Sequence, residues 1–255
     1  SRGDVFVGAT ELNDPLDDHA GRGRIIQYDK NLKQKAVLWL GATSHLVSGL
    51  NFDARGVLWA FDPFARVVVR VSPDGEQLPR VDFGGRGWGS VCFGHDGSVY
   101  LCEYLKGDRP YQGGAMRTLP GTNVVGYGRI AQFDASMRLV REFANETAES
   151  LTGFHGVTHS AMHPRDEVVT YLTDLGMRVM RYDVSANKQL PDLVTYPGGE
   201  AYARKWTTGV AYRRDGTLLL LRGSFIDLLD DRGDSMRTIP LDAYGYAMIT
   251  ASADD

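Results

Sequence analysis

The fold is decided by one stretch, Thr43–Asp62, which reads TSHLVSGLNFDARGVLWAFD. Its first half is a short strand, the residues up to Gly56 form a tight turn, and the hydrophobic run that follows is a second strand returning beside the first. The same pattern recurs three more times, with its turn residue at Gly97, Asp166 and Gly216. Repeats at irregular intervals, each with about four short strands, are typical of β-propeller blades.

The two ends of the chain complete the count of blades. We place the four full repeats at residues 45–83, 88–143, 155–194 and 207–241. The N-terminal segment adds three strands, at 4–9, 24–28 and 34–40, and Tyr244–Ala251 adds one inner strand. Joining these ends makes a fifth blade and closes the ring, which removes free sheet edges. We therefore predict a single all-β domain, 1–255, folded as a five-bladed β-propeller of four-stranded antiparallel blades, with six blades as the alternative.

Composition excludes several classes of function. The formal net charge of −4 and the pI of about 5.9 argue against nucleic-acid binding, which needs a basic surface. No apolar run is long enough to cross a membrane, so no membrane span is predicted. The chain starts with Ser rather than Met, so we expect a processed or trimmed start. The sequence is compatible with a soluble protein of the cytoplasm and with a secreted or periplasmic one. It does not determine the oligomeric state.

The two cysteines, Cys92 and Cys102, flank the Asp96–Gly97 turn on one hairpin. A cross-strand disulfide is one interpretation. A pair of buried free thiols is the favoured one, because free cysteine is among the most buried residue types.

The repeat pattern resembles known propeller families. Gly49–Trp59 follows the pattern glycine, hydrophobic, any, hydrophobic, Asp, two of any, glycine, any, hydrophobic, aromatic, and with the turn Val71–Glu76 it resembles NHL and SMP-30/gluconolactonase-type propellers. This resemblance implies fold rather than chemistry. Those families usually have six blades, and the Glu-Gly-Pro segment that supplies a metal ligand in gluconolactonase-like proteins is absent, so no lactonase residues are carried over. The wider group includes metal-assisted lyases whose histidines meet at the central axis.

Four extended linkers are expected to lie on one rim of the central channel. They are Glu11–Gly23, Leu105–Gly126, Ala144–Phe154 and Thr195–Trp206. Alignment on the turn residue also gives a polar or ionisable residue where each inner strand enters from that rim. These are His45, Arg86, His155, Lys205 and Tyr244, and the second strands return to the same rim at Asp62, Glu103, Asp174 and Arg222. A polar ring at one level of a rigid scaffold indicates a functional site.

The residue types in this ring allow two kinds of chemistry. His45 and His155, with Glu103 or Asp62, would hold one divalent ion such as Zn, Ca, Mg or Mn. Alternatively, either histidine acts as a general base without metal, while Arg86 and Lys205 hold an anionic substrate. The rim aromatics would suit a cyclic or aromatic ligand, and His19 on a rim loop would cover the pocket. Those aromatics are Trp88, Tyr111, Trp206 and Tyr246.

The remaining motifs give weaker indications of function. No helix follows Gly84–Gly87, so nothing indicates a nucleotide or organic cofactor. On a strand, His159 lies about 13 Å from His155, too far to share an ion, and it is expected to be a hydrogen-bonded interior residue. His95 and His163 are expected on the surface of the opposite face.

The leading hypothesis is a small-molecule enzyme, a lyase or hydrolase, acting at the loop-rich mouth of the channel. A C–O, C–N or C–C bond close to a carbonyl would suit its residues. The alternative is a non-catalytic propeller that binds a glycan, a small ligand or a protein segment on the same rim. An enzyme would need both histidines, whereas a binding module would tolerate their loss.

Overall fold

The chain folds into antiparallel sheets arranged as a five-bladed β-propeller, as predicted. The computed structural model describes residues 3–14, 17–44, 47, 49–105, 109–110, 124–125, 129–143, 156–173, 176–196 and 207–241. In this part of the chain every regular element is a strand. The same residues contain no helix long and apolar enough to cross a membrane.

The first three blades contain twelve strands in chain order. The first blade is β1 (Val5–Asp14), β2 (Asp17–Tyr28) and β3 (Gln34–Trp39). The second is β4 (Gly49–Phe52), β5 (Leu58–Asp62) and β6 (Val67–Val71). The third begins with β7 (Gly87–Phe93) and β8 (Val99–Leu105), continues after the small pair β9 (Arg109–Pro110) and β10 (Val124–Val125), and ends with β11 (Ile130–Phe133) and β12 (Leu139–Phe143).

The last two blades follow without interruption of the pattern. The fourth is β13 (Val157–Met162), β14 (Val168–Thr173), β15 (Arg178–Asp183) and β16 (Lys188–Thr195). The fifth is β17 (Thr207–Tyr212), β18 (Leu218–Arg222), β19 (Phe225–Leu229) and β20 (Ser235–Pro240). The inner strands are β4, β7, β13 and β17. Closure of the ring by Tyr244–Ala251 lies outside the described residues.

Hydrophobic side chains fill four seams between consecutive blades in the described part of the chain. At the seam between the second and third blades, Trp59 and Phe61 belong to one cluster with Trp88 and Phe133. Corresponding clusters join the first blade to the second, the third to the fourth, and the fourth to the fifth. Burial at these seams supplies the main stabilisation of a propeller, because each sheet alone would leave both faces in water.

The inner strands approach so closely that two positions require glycine. A Cβ on Gly49 would lie 2.5 Å from the Gly89 carbonyl oxygen, and one on Gly89 would lie 2.9 Å from the Val157 carbonyl oxygen. Both distances are shorter than any stable contact, so a side chain would force neighbouring blades apart. The ring is therefore tight at its axis.

The repeated turn is organised by a side-chain acceptor. Asp53 Oδ1 accepts the backbone N–H groups of Arg55 and Val57, which lets Gly56 adopt a φ of 77°. In the fourth blade His163 occupies the same position, and its Nδ1 accepts the N–H of Asp166 at 3.1 Å. His163 is consequently buried, with 9% of its surface exposed, and the expectation of a surface residue is wrong, whereas His95 is exposed as expected.

Two element predictions need correction. Glu11–Gly23 is mostly strand, because β1 and β2 continue as one long hairpin that keeps its ladder through a polar sequence. The expected fourth strand of the second blade, 76–83, is reduced to the bridge between Val71 and Gln77. Pro79 follows and has no N–H to extend the ladder. Cys92 and Cys102 are buried free thiols, as favoured.

Candidate functional site

The face where the inner strands begin carries the long connections β8–β11, β12–β13 and β16–β17, and we call it the loop face. The opposite face, with the short Asp53-type turns, is the turn face. On the loop face a cavity of about 430 Å³ lies between the second and third blades. This loop-face cleft is lined by the guanidinium-bearing Arg66, Arg80 and Arg86, the carboxylate of Asp82, Gly85, and the apolar Val68, Val81, Phe83 and Trp88.

Arg86, a predicted ring residue, lies just before β7 and is held by carboxylates of its own blade. Its Nε donates to Glu103 Oε1 at 2.9 Å, and its guanidinium also pairs with Glu142. Burial lowers the pKa of Arg86, but the hydrogen bond and charge of Glu103, with those of Glu142, outweigh it and raise that pKa above its usual value. Arg86 lines the cleft.

Trp88 is fixed in the wall of the same cleft. Its indole Nε1 donates to the Phe83 carbonyl at 3.0 Å, and the Arg86 guanidinium lies 4.5 Å from the indole ring centroid. This cation–π contact and the buried hydrogen bond hold the ring in one orientation. Two of the predicted site residues, Arg86 and Trp88, are thus side by side.

Arg66 and Arg80 were missed by the sequence analysis. Within the described ranges neither has a carboxylate partner, and Arg66 Nη1 reaches only the Gly85 carbonyl at 3.5 Å. Arg66 has a φ of 56°, a left-handed conformation that is uncommon for a residue with a side chain. The position of Arg66 in the sequence could have indicated it, because Arg66 ends the β5–β6 turn and that turn lies on the loop face.

Asp62, predicted as a metal ligand, organises the chain around it. Its Oδ2 accepts the backbone N–H of Ser44 at 2.7 Å, and its Oδ1 accepts those of Phe64 and Ala65. The carboxylate is fully buried. It therefore ties the segment that enters β4 to the turn that ends at Arg66.

The two carboxylates do not fit a metal site as they stand. Asp62 is engaged by backbone donors and Glu103 by Arg86. Among the described residues no three His, Cys, Asp or Glu side chains cluster closely enough to hold an ion. The prediction of one divalent ion depends on His45 and His155, which lie outside the described part of the chain.

Several other predicted residues also fall outside it. They are Tyr111, Lys205, Trp206, Tyr244 and Tyr246. His19 is in β2, and only its backbone is described.

A second cavity, of about 280 Å³, lies in the central channel between the inner strands β4, β7, β13 and β17. His159 lines it and keeps part of its surface accessible. Desolvation lowers the pKa of His159 to about 4. The expectation of a hydrogen-bonded His159 is not met within the described chain, where its ring nitrogens have no protein partner. Beside it, the Ser90 and Ser160 hydroxyls are hydrogen-bonded across the blade seam at 2.9 Å.

Comparison with solved structures identifies enzymes and binding proteins that share this fold. A streptogramin B lyase is 14% identical, with 93% of this chain and 74% of that chain covered and a TM-score of 0.55. A catalytically inactive histidine-to-alanine variant of virginiamycin B lyase from Staphylococcus aureus, solved with quinupristin, is 14% identical over 98% of this chain and 80% of that one, with a TM-score of 0.56.

A third similar structure is a nidogen/laminin complex, at 13% identity and a TM-score of 0.60, covering 98% of this chain and 83% of that one. No protein-family model matches the sequence. No curated protein matches it either. At these identities the likeness shows the propeller fold alone, and the resemblance to NHL and SMP-30-type propellers is supported at the level of fold.

Proposed function

We propose that the protein is a small-molecule enzyme, a lyase or hydrolase, that acts on an anionic or aromatic substrate at the loop face. The loop-face cleft carries this proposal, because Arg66 and Arg80, which have no carboxylate partner among the described residues, line it together with the indole of Trp88. Its volume of about 430 Å³ is in the range of small-molecule pockets.

Each wall of the cleft has a distinct role in holding a substrate. Arg66 and Arg80 would bind a carboxylate or similar anion, since guanidinium groups form strong paired hydrogen bonds to such groups. Phe83 and Trp88 would pack against an apolar or aromatic body. Arg86, already neutralised by Glu103 and Glu142, would hold Trp88 and the cleft wall in place rather than supply net charge.

His45 is the proposed general base. In the sequence it directly follows Ser44, and it is the first member of the predicted polar ring. In the lyase version the imidazole removes a proton α to a carbonyl, the electron pair forms a C=C bond, and the bond to the β substituent breaks. The leaving group then takes its proton from the imidazolium. In the same ring, His155 would act as the second acid/base group, with Lys205 and Tyr244 as further polar contacts.

The lyase version is placed before the hydrolase version because the streptogramin B and virginiamycin B lyases share the fold. The test is turnover of a panel of small carboxylates and esters bearing a β leaving group, with quinupristin included, followed by mass spectrometry. Elimination gives products whose summed mass equals that of the substrate, whereas hydrolysis adds one water. We expect turnover to be lost in His45→Ala and His155→Ala, and to fall mainly through a raised KM in Arg66→Ala.

Metal analysis belongs to the same experiment. Metal content is measured by mass spectrometry on untagged wild type and on both histidine variants. Stoichiometric metal that both variants lose without unfolding would support the metal-assisted version, and a metal-free active protein would leave acid/base catalysis without metal.

The second candidate is a non-catalytic propeller that binds a small ligand, a glycan or a protein segment on the loop face. The engagement of Asp62 and Glu103 by their own chain supports it, because fewer acid/base groups are then available. Binding without turnover that survives loss of both histidines would favour this candidate and overturn the enzyme.

A further inference from the structure

The channel cavity is a separate space from the loop-face cleft, and it is reached from the other side of the ring. Its lining includes Gly49 at the start of β4 and Ser90 and His159 near the middle of β7 and β13, and it continues past the ends of the inner strands to Pro164, Arg213 and Arg214. These last residues lie at the turn face. A molecule would therefore enter from the turn face.

The entrance to this cavity is positively charged. Arg213 and Arg214 both line it, and the described residues of the lining include no Asp or Glu. Arg213 Nη1 lies 3.9 Å from Asp215 Oδ2, and Arg214 is exposed and has no ion pair in the described part of the chain. An entrance with two guanidinium groups favours a carboxylate over a neutral or cationic molecule.

His159 is the polar group available at the inner end. The neighbouring Ser90 and Ser160 hydroxyls bond to each other, and both Asn51 side-chain atoms bond to backbone. Because its pKa is about 4, the imidazole is neutral near pH 7 and offers one donor and one acceptor. A hydroxyl or amide group on a ligand would match it.

The distance along the channel between His159 and the arginines at the entrance determines the length of ligand that reaches both. His159 lies four residues before His163, and Arg213 occupies the position of His163 in the next blade, since both begin the short turn. Four residues of strand correspond to about 13 Å along the channel. A molecule that reaches both ends must be elongated, and the cavity of about 280 Å³ admits a small one.

We propose that the channel cavity is a second binding site, for a small elongated carboxylate whose acid group lies at Arg213 and Arg214 and whose polar far end lies at His159. The apolar walls contributed by Leu50, Val91, Met162 and Val210 contact the body of the ligand. This site does not depend on the proposed enzyme, because it uses other residues and the opposite face.

The test is an NMR titration of the histidine side chains in ¹⁵N-labelled full-length protein, with His159 assigned from His159→Gln. The probe is phloretate, an elongated aromatic acid with a phenol at its far end. Its neutral amide, phloretamide, tests the carboxylate, and hydrocinnamate, which lacks the hydroxyl, tests the contact at His159.

We expect phloretate to shift the His159 resonances saturably and to leave exposed His95 unchanged. Phloretamide should bind the wild-type protein about tenfold more weakly than phloretate does. Arg214→Ala should bind phloretate about tenfold more weakly than the wild type does, as the loss of one charged contact implies. Arg232→Ala is the matched control, an exposed arginine of the turn face outside the lining, and should bind normally. Absence of a saturable His159 shift would overturn the proposal. Equal binding of phloretamide, or equal weakening by Arg232→Ala, would also overturn it, since recognition would then not be of a carboxylate at this entrance.

Discussion

The Arg86 guanidinium donates from Nε to the fully buried carboxylate of Glu103 at 2.9 Å. This pair joins the segment before β7 to the second strand of the same blade, directly behind the cleft wall formed by Trp88. The pair holds Arg86 and Glu103, two residues of the predicted rim, in one arrangement. The same ion pair is expected to stabilise the third blade.

Removing the charge of Glu103 should destabilise the protein. Glu103→Gln leaves the Arg86 guanidinium, 20% exposed, with Glu142 as its remaining described carboxylate. We expect the free energy of unfolding to fall by about 3 kcal/mol in urea titrations, as found when one partner of a buried pair is removed. Glu76→Gln, on an exposed turn, is the control. A loss no larger than that of the control would show that the pair contributes nothing to stability.

Gly49→Ala should also destabilise the fold. Its Cβ would lie 2.5 Å from the Gly89 carbonyl oxygen, and backbone cannot move aside as a flexible side chain can. The expected loss is about 2 kcal/mol or more, measured by thermal and urea unfolding. Gly41→Ala serves as the comparison, because its Cβ would meet only the end of Gln77 at 3.4 Å. Equal stability of the two variants would contradict the close approach of the inner strands.

His159 should make stability depend on pH in a mildly acidic window. Its folded-state pKa of about 4 lies below the ordinary value of 6.5, so the unfolded chain binds more protons between these values. Stability should therefore fall as the pH drops from about 6.5 to about 4, by up to about 1.4 kcal/mol per pH unit. The difference between wild type and His159→Gln, followed by urea unfolding across that range, should carry this slope, and His95→Gln should not alter it. If the difference in the free energy of unfolding between wild type and His159→Gln did not change with pH, the prediction would be wrong.

Asp53 should also make stability fall as the pH drops, because the fold favours its charged form. Burial raises its pKa, but hydrogen bonds from the Val57 backbone, the Arg55 side chain and backbone, and Trp59 outweigh burial, and the pKa lies below 3.8. Its contribution is present above about pH 4 and is lost as the pH falls through the folded-state pKa. Asp53→Ala should cost about 2 kcal/mol at pH 7 and progressively less as the pH falls through the folded-state pKa of the wild-type carboxyl. Asp74→Ala, on an exposed turn, should cost little at either pH.

Arg66→Gly separates stability from ligand binding. The left-handed φ of 56° costs a residue with a Cβ about 1 kcal/mol, which glycine avoids. We expect the Tm to rise by a few degrees, while binding of anionic ligands in the cleft weakens. Arg80→Ala should weaken the same binding without raising the Tm, and a lower Tm for Arg66→Gly would show that its side chain stabilises the turn instead.

The architecture was predictable because the hairpin of Thr43–Asp62 is repeated, and each copy has strand-type periodicity and a turn residue. The polar stretch Glu11–Gly23 is mostly strand because its backbone forms ladder hydrogen bonds between β1 and β2. Backbone hydrogen bonds of this kind leave no pattern in the side chains, so the sequence did not predict them.

The site was predictable only in part. Alignment on the turn places Arg86 on the predicted rim and the blade pattern places Trp88 near it, and the structure puts both in the wall of the loop-face cleft. Arg66 and Arg80 were not predicted because they lie in a turn and in a connecting segment of the second blade. Their proximity to Arg86 depends on how the second and third blades pack. Likewise, the sequence does not reveal the burial of His163, because the equivalent acceptor in the first repeat is the aspartate Asp53 rather than a histidine.

The contact of Gly49 with the Gly89 carbonyl has a mechanical consequence. Where two inner strands touch backbone to backbone, the second and third blades have a fixed pivot at the axis, and their separation can change only towards the circumference. The loop-face cleft lies in that seam. A bulky ligand would therefore be admitted by a small angular opening of two blades about their inner strands, while the channel keeps its diameter.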